Sequence, residues 1–192
     1  MDTLQLDPGK TALVLIDLQN GIVARATEPY SPSEVVKKSA KLAEAFRAKG
    51  ATIVYVRVDM DSFLRLPVDV AMRDPNAPPP PASASELVPE AGFREGDILI
   101  TKRHWGAFAG TGLEATLRER GIETVALGGI STNIGVESTA RQGTGLGFAF
   151  VVVEDICASN MGADAHRFAF EKIFPRLGRV RKSDDVIAGL AA

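Results

Sequence analysis

Residues 124–141 read TVALGGISTNIGVESTAR. An apolar run, Thr124 to Leu127, feeds two glycines and then the polar turn Ser131-Thr132-Asn133, and a helix-like segment follows from about Asn133 to Gln142. A strand that turns directly into a helix leaves the first N–H groups of that helix without intrahelical acceptors. The helix dipole favours negative charge at the same end. The stretch therefore predicts a strand–turn–helix with an anion-holding corner.

The same grammar recurs on either side. Upstream, Thr11 to Leu18 (TALVLIDL) is continuously apolar until Asp17, as a parallel strand covered on both faces would be. Ser31-Pro32-Ser33-Glu34 is a helix start with a serine cap, proline at the first position and glutamate three residues on. Val35, Val36, Ala40, Leu42, Ala43 and Phe46 give that helix an apolar face, and Thr52 to Val58 is the next strand. Further strands are expected at 97–101 and 148–153 and around Arg179-Val180, with helices at 111–120, 164–174 and 184–190. Six alternations of strand and helix predict an α/β, three-layer αβα architecture: a doubly wound, mostly parallel six-stranded sheet of Rossmann-like type. All 192 residues are expected in one domain. One segment, about 59–96, breaks the pattern: Pro67, Pro75 and Pro78 to Pro81 exclude a long regular element. It reads as a surface excursion, with a lid or intersubunit arm as the alternative.

Composition narrows the classes. Hydrophobic residues make up 45% and charged residues 24%, with a formal net charge of −2 and no basic run, which argues against a nucleic-acid partner. No apolar run reaches membrane-spanning length, and the first residues lack the form of a signal peptide. The single Cys157 excludes an intrachain disulfide and suits a reducing compartment. A cytoplasmic enzyme is the default expectation.

In open parallel sheets ligands bind beyond the carboxyl ends of the strands, where strand order reverses. The residues to weigh are thus Asp17, Gln19, Asp59, Lys102 and the 131–135 turn. A carboxylate at the mouth of a buried strand is costly unless paired. Asp17 and Lys102 end different strands and can meet.

These features carry a resemblance. TALVLIDLQNG, KRHWGAFAGTGLEATLRERGIETV and GGISTNIGVESTARQGTGLGFAFVVVEDICAS, in that order, resemble the isochorismatase-like hydrolases, a superfamily that includes cysteine amidases. The resemblance implies an Asp–Lys–Cys triad with Asp17 and Lys102 as its first two members. It implies substrate contacts near Gln19, Phe108, Ile130, Ser131, Thr132 and Ile134, and a non-proline cis peptide at Ile130–Ser131. It also implies a homo-oligomer, with the Pro-rich excursion and an exposed Trp105-Gly106-Ala107-Phe108 as contact regions. No cofactor is implied. Where nicotinamidases hold a metal through Asp-x-His-x-His, this chain reads Asp59-Met60-Asp61-Ser62, so no metal is expected.

The chain departs from the amidases at one place. The nucleophilic cysteine is expected after Thr132-Asn133-Ile134, and Gly135 stands there. Glycine cannot form a covalent acyl intermediate. By the same resemblance, enzymes that hydrolyse the vinyl ether of isochorismate also carry glycine here, because an aspartate protonating the enol carbon needs no nucleophile. Such a dianionic substrate calls for further cations, with Arg57, Arg103 and Arg141 as candidates. The expected function is hydrolysis of a small anionic metabolite; the alternative is an inactive metabolite-binding or interaction protein on the same fold. A neighbouring lysine lowers a carboxylate's pKa whereas burial raises it, and the sequence leaves open which prevails at Asp17.

Overall fold

The computed structural model describes residues 4–190 except Pro75. In chain order its elements are β1 (Thr11–Ile16), a short α1 (Asn20–Val23), α2 (Pro32–Ala48), β2 (Thr52–Val58), β3 (Ile98–Lys102), α3 (Leu113–Glu119) and β4 (Thr124–Ile130). A π-helical turn (Thr132–Val136) leads into α4 (Glu137–Gly145), followed by β5 (Ala149–Ala158) and α5 (Ala163–Phe168). A second π-helical segment (Ala169–Ile173) joins α5 to α6 (Phe174–Leu177), and β6 (Arg179–Arg181) and α7 (Ser183–Gly189) follow.

The strands form one parallel sheet in the order β3-β2-β1-β4-β5-β6. β1 is buried along its whole length because helices cover both faces. Its Leu13 and Leu15 pack with Val35, Leu42 and Phe46 of α2 and Val186 of α7. Its Ala12, Val14 and Ile16 pack with Leu113 and Leu117 of α3 and Ala140 of α4. The period of two along the strand thus becomes a three-layer αβα sandwich. α2 starts as its sequence predicts. The Ser31 hydroxyl accepts from the Glu34 N–H at 3.3 Å, and the Glu34 carboxylate accepts from the Ser31 N–H at 2.9 Å.

The sheet reverses its order between β1 and β4, where Ile16 lies opposite Gly129. Gly129 sits at φ +127, and a Cβ there would run into the Ile16 backbone. Only glycine lets the two strand ends lie this close. This is the topological switch point.

Two features differ from the sequence expectation. β5 extends to Ala158 rather than ending before Glu154, because it bulges: Leu127 pairs with Val152, but Gly129, two residues on, pairs with Cys157, five residues on. Asp155 faces inward in the bulge and accepts from the Ser183 N–H (2.7 Å), the Ser183 hydroxyl (2.8 Å) and Lys38 Nζ (3.1 Å). The 59–96 excursion also divides. Its first part is irregular and mostly exposed, while two 3-10 turns, Ala82–Ser85 and Pro89–Ala91, dock onto the end of β1. Val88 N–H donates to Leu18 O and Asn20 N–H to Glu86 O.

Candidate functional site

Asp17 follows β1 directly, with its N–H donating to Val56 O at 2.8 Å. It adopts φ +55, a left-handed conformation that aspartate tolerates better than most residues. Lys102 is the last residue of β3, opposite Val58 of β2. β3 lies two strands from β1, a span of about 10 Å, and the long lysine side chain bridges it across the end of β2. Lys102 Nζ donates to Asp17 Oδ2 at 2.8 Å and to the Trp105 carbonyl at 2.9 Å. Both residues are buried, with 5% of Asp17 and 2% of Lys102 exposed. Asp17 Oδ1 makes no hydrogen bond. Burial pushes the Asp17 carboxyl above its ordinary range, and Lys102, pulling the other way, does not cancel it.

Gly135 lies inside the π-helical turn, beside this pair. A Cβ built there would stand 3.3 Å from Asp17 Oδ2, 3.6 Å from Lys102 Nζ and 2.9 Å from Ile16 Cγ2. The turn begins at a cis Ile130–Ser131 peptide, as the resemblance implied. Ile134 and Val136 both donate their N–H groups to the Ser131 carbonyl at 3.2 Å. The corner therefore commits part of the N–H array that the sequence expectation assigned to an anion.

Several expected contact residues are engaged elsewhere. Gln19 is fully buried: its Nε2 donates to Val58 O (2.9 Å) and Ala84 O (3.0 Å), and its Oε1 accepts from Val58 N–H (2.8 Å). It clamps the excursion to the strand ends and has no polar atom left for a substrate. Phe108 packs in the core, its ring stacked on Phe148 at 5.7 Å. Ile130 is buried in the core on the α2 side. The Ser131 hydroxyl accepts from Asn160 N–H at 3.1 Å, and the Thr132 hydroxyl pairs with His166 Nδ1 at 2.9 Å. Ile134 is half-buried beside Gly135. Of the segment expected to be exposed, only Trp105 is; Gly106, Ala107 and Phe108 are buried. The three arginines each bond another group through Nε: Arg57 Nε donates to Thr101 Oγ1, Arg103 Nε to Ser62 O, and Arg141 Nε pairs with Glu137.

Two partners at the site had escaped the sequence. His166 sits under the turn, and burial pushes its pKa down to about 4, so it is neutral near pH 7. Its only sequence signal is the apolar spacing His166, Phe170, Phe174 along one helix face. The Trp105 carbonyl, which anchors Lys102, has no sequence signal at all. Cys157 is buried in the core, its thiol donating to Val153 O at 3.2 Å, and burial raises its pKa. Two surface hollows, of about 370 and 270 Å³, flank the excursion, and neither is lined by Asp17, Lys102 or Gly135. Among the described residues no three His, Cys, Asp or Glu side chains are grouped to hold a metal, and no helix is long and apolar enough to cross a membrane.

The sheet and the helices around it have counterparts among known proteins. Residues 11–185 match the isochorismatase domain family. The chain belongs to the isochorismatase family. It is 44% identical to the Escherichia coli isochorismatase family protein YecD, over 97% of this chain and all of that one. The structure of an isochorismatase family protein from Burkholderia thailandensis superposes over the full length of both chains with a TM-score of 0.90 and 41% identity. More distant is the ureidoacrylate amidohydrolase RutB of Acinetobacter baylyi, 28% identical over 97% of this chain and 86% of that one. This isochorismatase-family chain is thus a member of a hydrolase family.

Proposed function

We propose that the protein hydrolyses a small anionic enol ether, with Asp17 as the acid and no covalent intermediate. The observation that carries this reading is the composition of the corner: a buried carboxyl paired with a lysine, and Gly135 where a Cβ would touch both. With no nucleophilic side chain there, a covalent route lacks its attacking atom.

The burial of Asp17 supports the acid role. A carboxyl raised above its ordinary range retains a proton longer as pH rises, and can deliver it to carbon. The step balances simply. The proton passes from Asp17 to the terminal carbon of the C=C–O unit, whose π electrons form the new C–H bond and leave an oxocarbenium ion. Water adds to that ion, and the hemiketal collapses to an alcohol and a ketone. The proton released by the water restores Asp17. Lys102 holds Asp17 in place, and its third N–H remains to meet the anionic charge of the substrate.

The test is turnover of enol-ether carboxylates, read as ketone release, by the wild type and Asp17→Asn. Loss of turnover in the variant supports the reading, and an unchanged rate refutes it.

A further inference from the structure

Of the two hollows beside the excursion, one carries uncompensated charge. The smaller, of about 270 Å³, sets Arg57 among Asp59, Asp61 and Glu86. The larger, of about 370 Å³, is lined by Arg25 and Arg73 and by no acidic residue. Neither arginine is in an ion pair among the described residues. Asp74, next to Arg73 in the chain, turns its carboxylate to the Asn76 N–H at 2.8 Å. Arg73 is held by donating one N–H to Ala77 O at 3.0 Å, which leaves its other donors for a ligand.

The two guanidinium groups come from different segments: Arg25 follows α1, and Arg73 belongs to the irregular first part of the excursion. Both are half-buried. Like charges brought to one sheltered hollow repel each other, and an anion between them replaces that repulsion with attraction. A guanidinium meets a carboxylate through two parallel N–H groups, which favours a planar oxyanion over a point charge. Much of the remaining lining is apolar, from Met60, Pro80, Pro81 and Ala84. A hollow of this size and lining suits a small molecule with one charged end and an apolar body. Its floor is fixed: Asn20 Nδ2 donates to Ser83 O and Gln19 Nε2 to Ala84 O, both at 3.0 Å, so α1 and the first 3-10 turn are already joined there.

We propose that this hollow is a binding site for a small organic carboxylate with an apolar body, held between Arg25 and Arg73. It is separate from the corner where the reaction is placed, since Asp17, Lys102 and Gly135 do not line it. Its occupant ties the first part of the excursion to α1, whose Asn20 stands three residues after Asp17. The inference does not depend on the proposed chemistry, since its readout is binding alone.

The experiment is calorimetric titration of benzoate into the wild type, Arg25→Gln, Arg73→Gln and Asp17→Asn, with benzamide as the uncharged ligand of the same shape. Benzoate should bind the wild type saturably, and each arginine change should weaken that binding about tenfold or more, the effect of losing one charge-assisted hydrogen bond. Benzamide should also bind about tenfold or more weakly than benzoate. Asp17→Asn should bind benzoate as the wild type does. Hydrogen exchange locates the ligand: benzoate should slow amide exchange at residues 20–25 and 71–74 of the wild type. Circular dichroism checks that each variant is folded. The proposal is overturned if the wild type shows no saturable benzoate binding, or if either arginine variant binds benzoate as tightly as the wild type. It is equally overturned if Asp17→Asn abolishes the binding, which would place the anion in the catalytic corner instead.

Discussion

Asp17 and Lys102, 85 residues apart in sequence, meet at 2.8 Å beneath the surface, and the position where a Cβ of residue 135 would sit lies within 3.6 Å of both charged groups. A carboxylate and an ammonium buried together cost solvation that only their mutual contact and further hydrogen bonds offset. The pair is a positioned chemical group, placed where the sheet reverses its order.

Removing the lysine exposes that cost. Lys102→Met leaves Asp17 buried without its counter-charge, and breaking a buried pair from one side costs roughly 3–5 kcal/mol. Denaturant unfolding at neutral pH should show this loss. It should shrink in Lys102→Met/Asp17→Asn, where no charge remains to be buried.

The geometry around residue 135 can be tested with a thiol. Gly135 is outside the left-handed region, so a side chain meets no backbone strain, but the Ile16 methyl at 2.9 Å and the Asp17 carboxyl at 3.3 Å must both yield. Gly135→Cys should fold and place its sulfur beside Lys102, an environment that lowers a thiol's pKa. Alkylation followed by mass spectrometry should show the introduced thiol modified quickly near neutral pH. Cys157, buried and raised in pKa, should stay unmodified in the native protein. Equal reactivity of the two would contradict the arrangement.

Much of this corner was legible because strand ends are legible. Asp17 and Lys102 each follow an apolar run, and parallel topology brings such residues to one edge. What neighbours those residues contact was not legible. Gln19 has the same sequence signature as Asp17 yet spends its amide on Val58 and Ala84. Phe108 borders the lysine segment yet packs on Phe148. Both depend on how the excursion and α4 fold back, which no local pattern encodes. The π-helical turns at 132–136 and 169–173 share the helix's hydrophobic spacing, and the β5 bulge hides behind an acidic pair that resembles a strand end.

Asp155 predicts an acid-side dependence of stability. Burial pushes its carboxyl up, but the hydrogen bonds from Ser183 and Lys38 prevail and hold it below its ordinary value. A depressed folded pKa contributes stability that is fully present above the unfolded value of about 4 and is lost as pH falls through the folded one. Asp155→Asn should therefore lose roughly 1–3 kcal/mol at pH 7. Its deficit against the wild type should narrow below about pH 4 in urea melts.

Asp17 acts in the opposite sense on the reaction. Its raised pKa means that the acid form declines as pH rises through a value above the ordinary carboxylate range. The rate kcat/KM should fall along that limb, and Asp17→Asn should lower kcat by roughly a hundredfold or more.

The most direct measurement is turnover of an enol-ether carboxylate in deuterium oxide, with the ketone product analysed by mass spectrometry. Protonation at carbon predicts one solvent deuterium in the new methyl group per turnover, a slower rate than in ordinary water, and loss of both product and label in Asp17→Asn. Ketone formed at the wild-type rate by Asp17→Asn, or ketone carrying no solvent deuterium, would contradict the assignment of Asp17 as the acid.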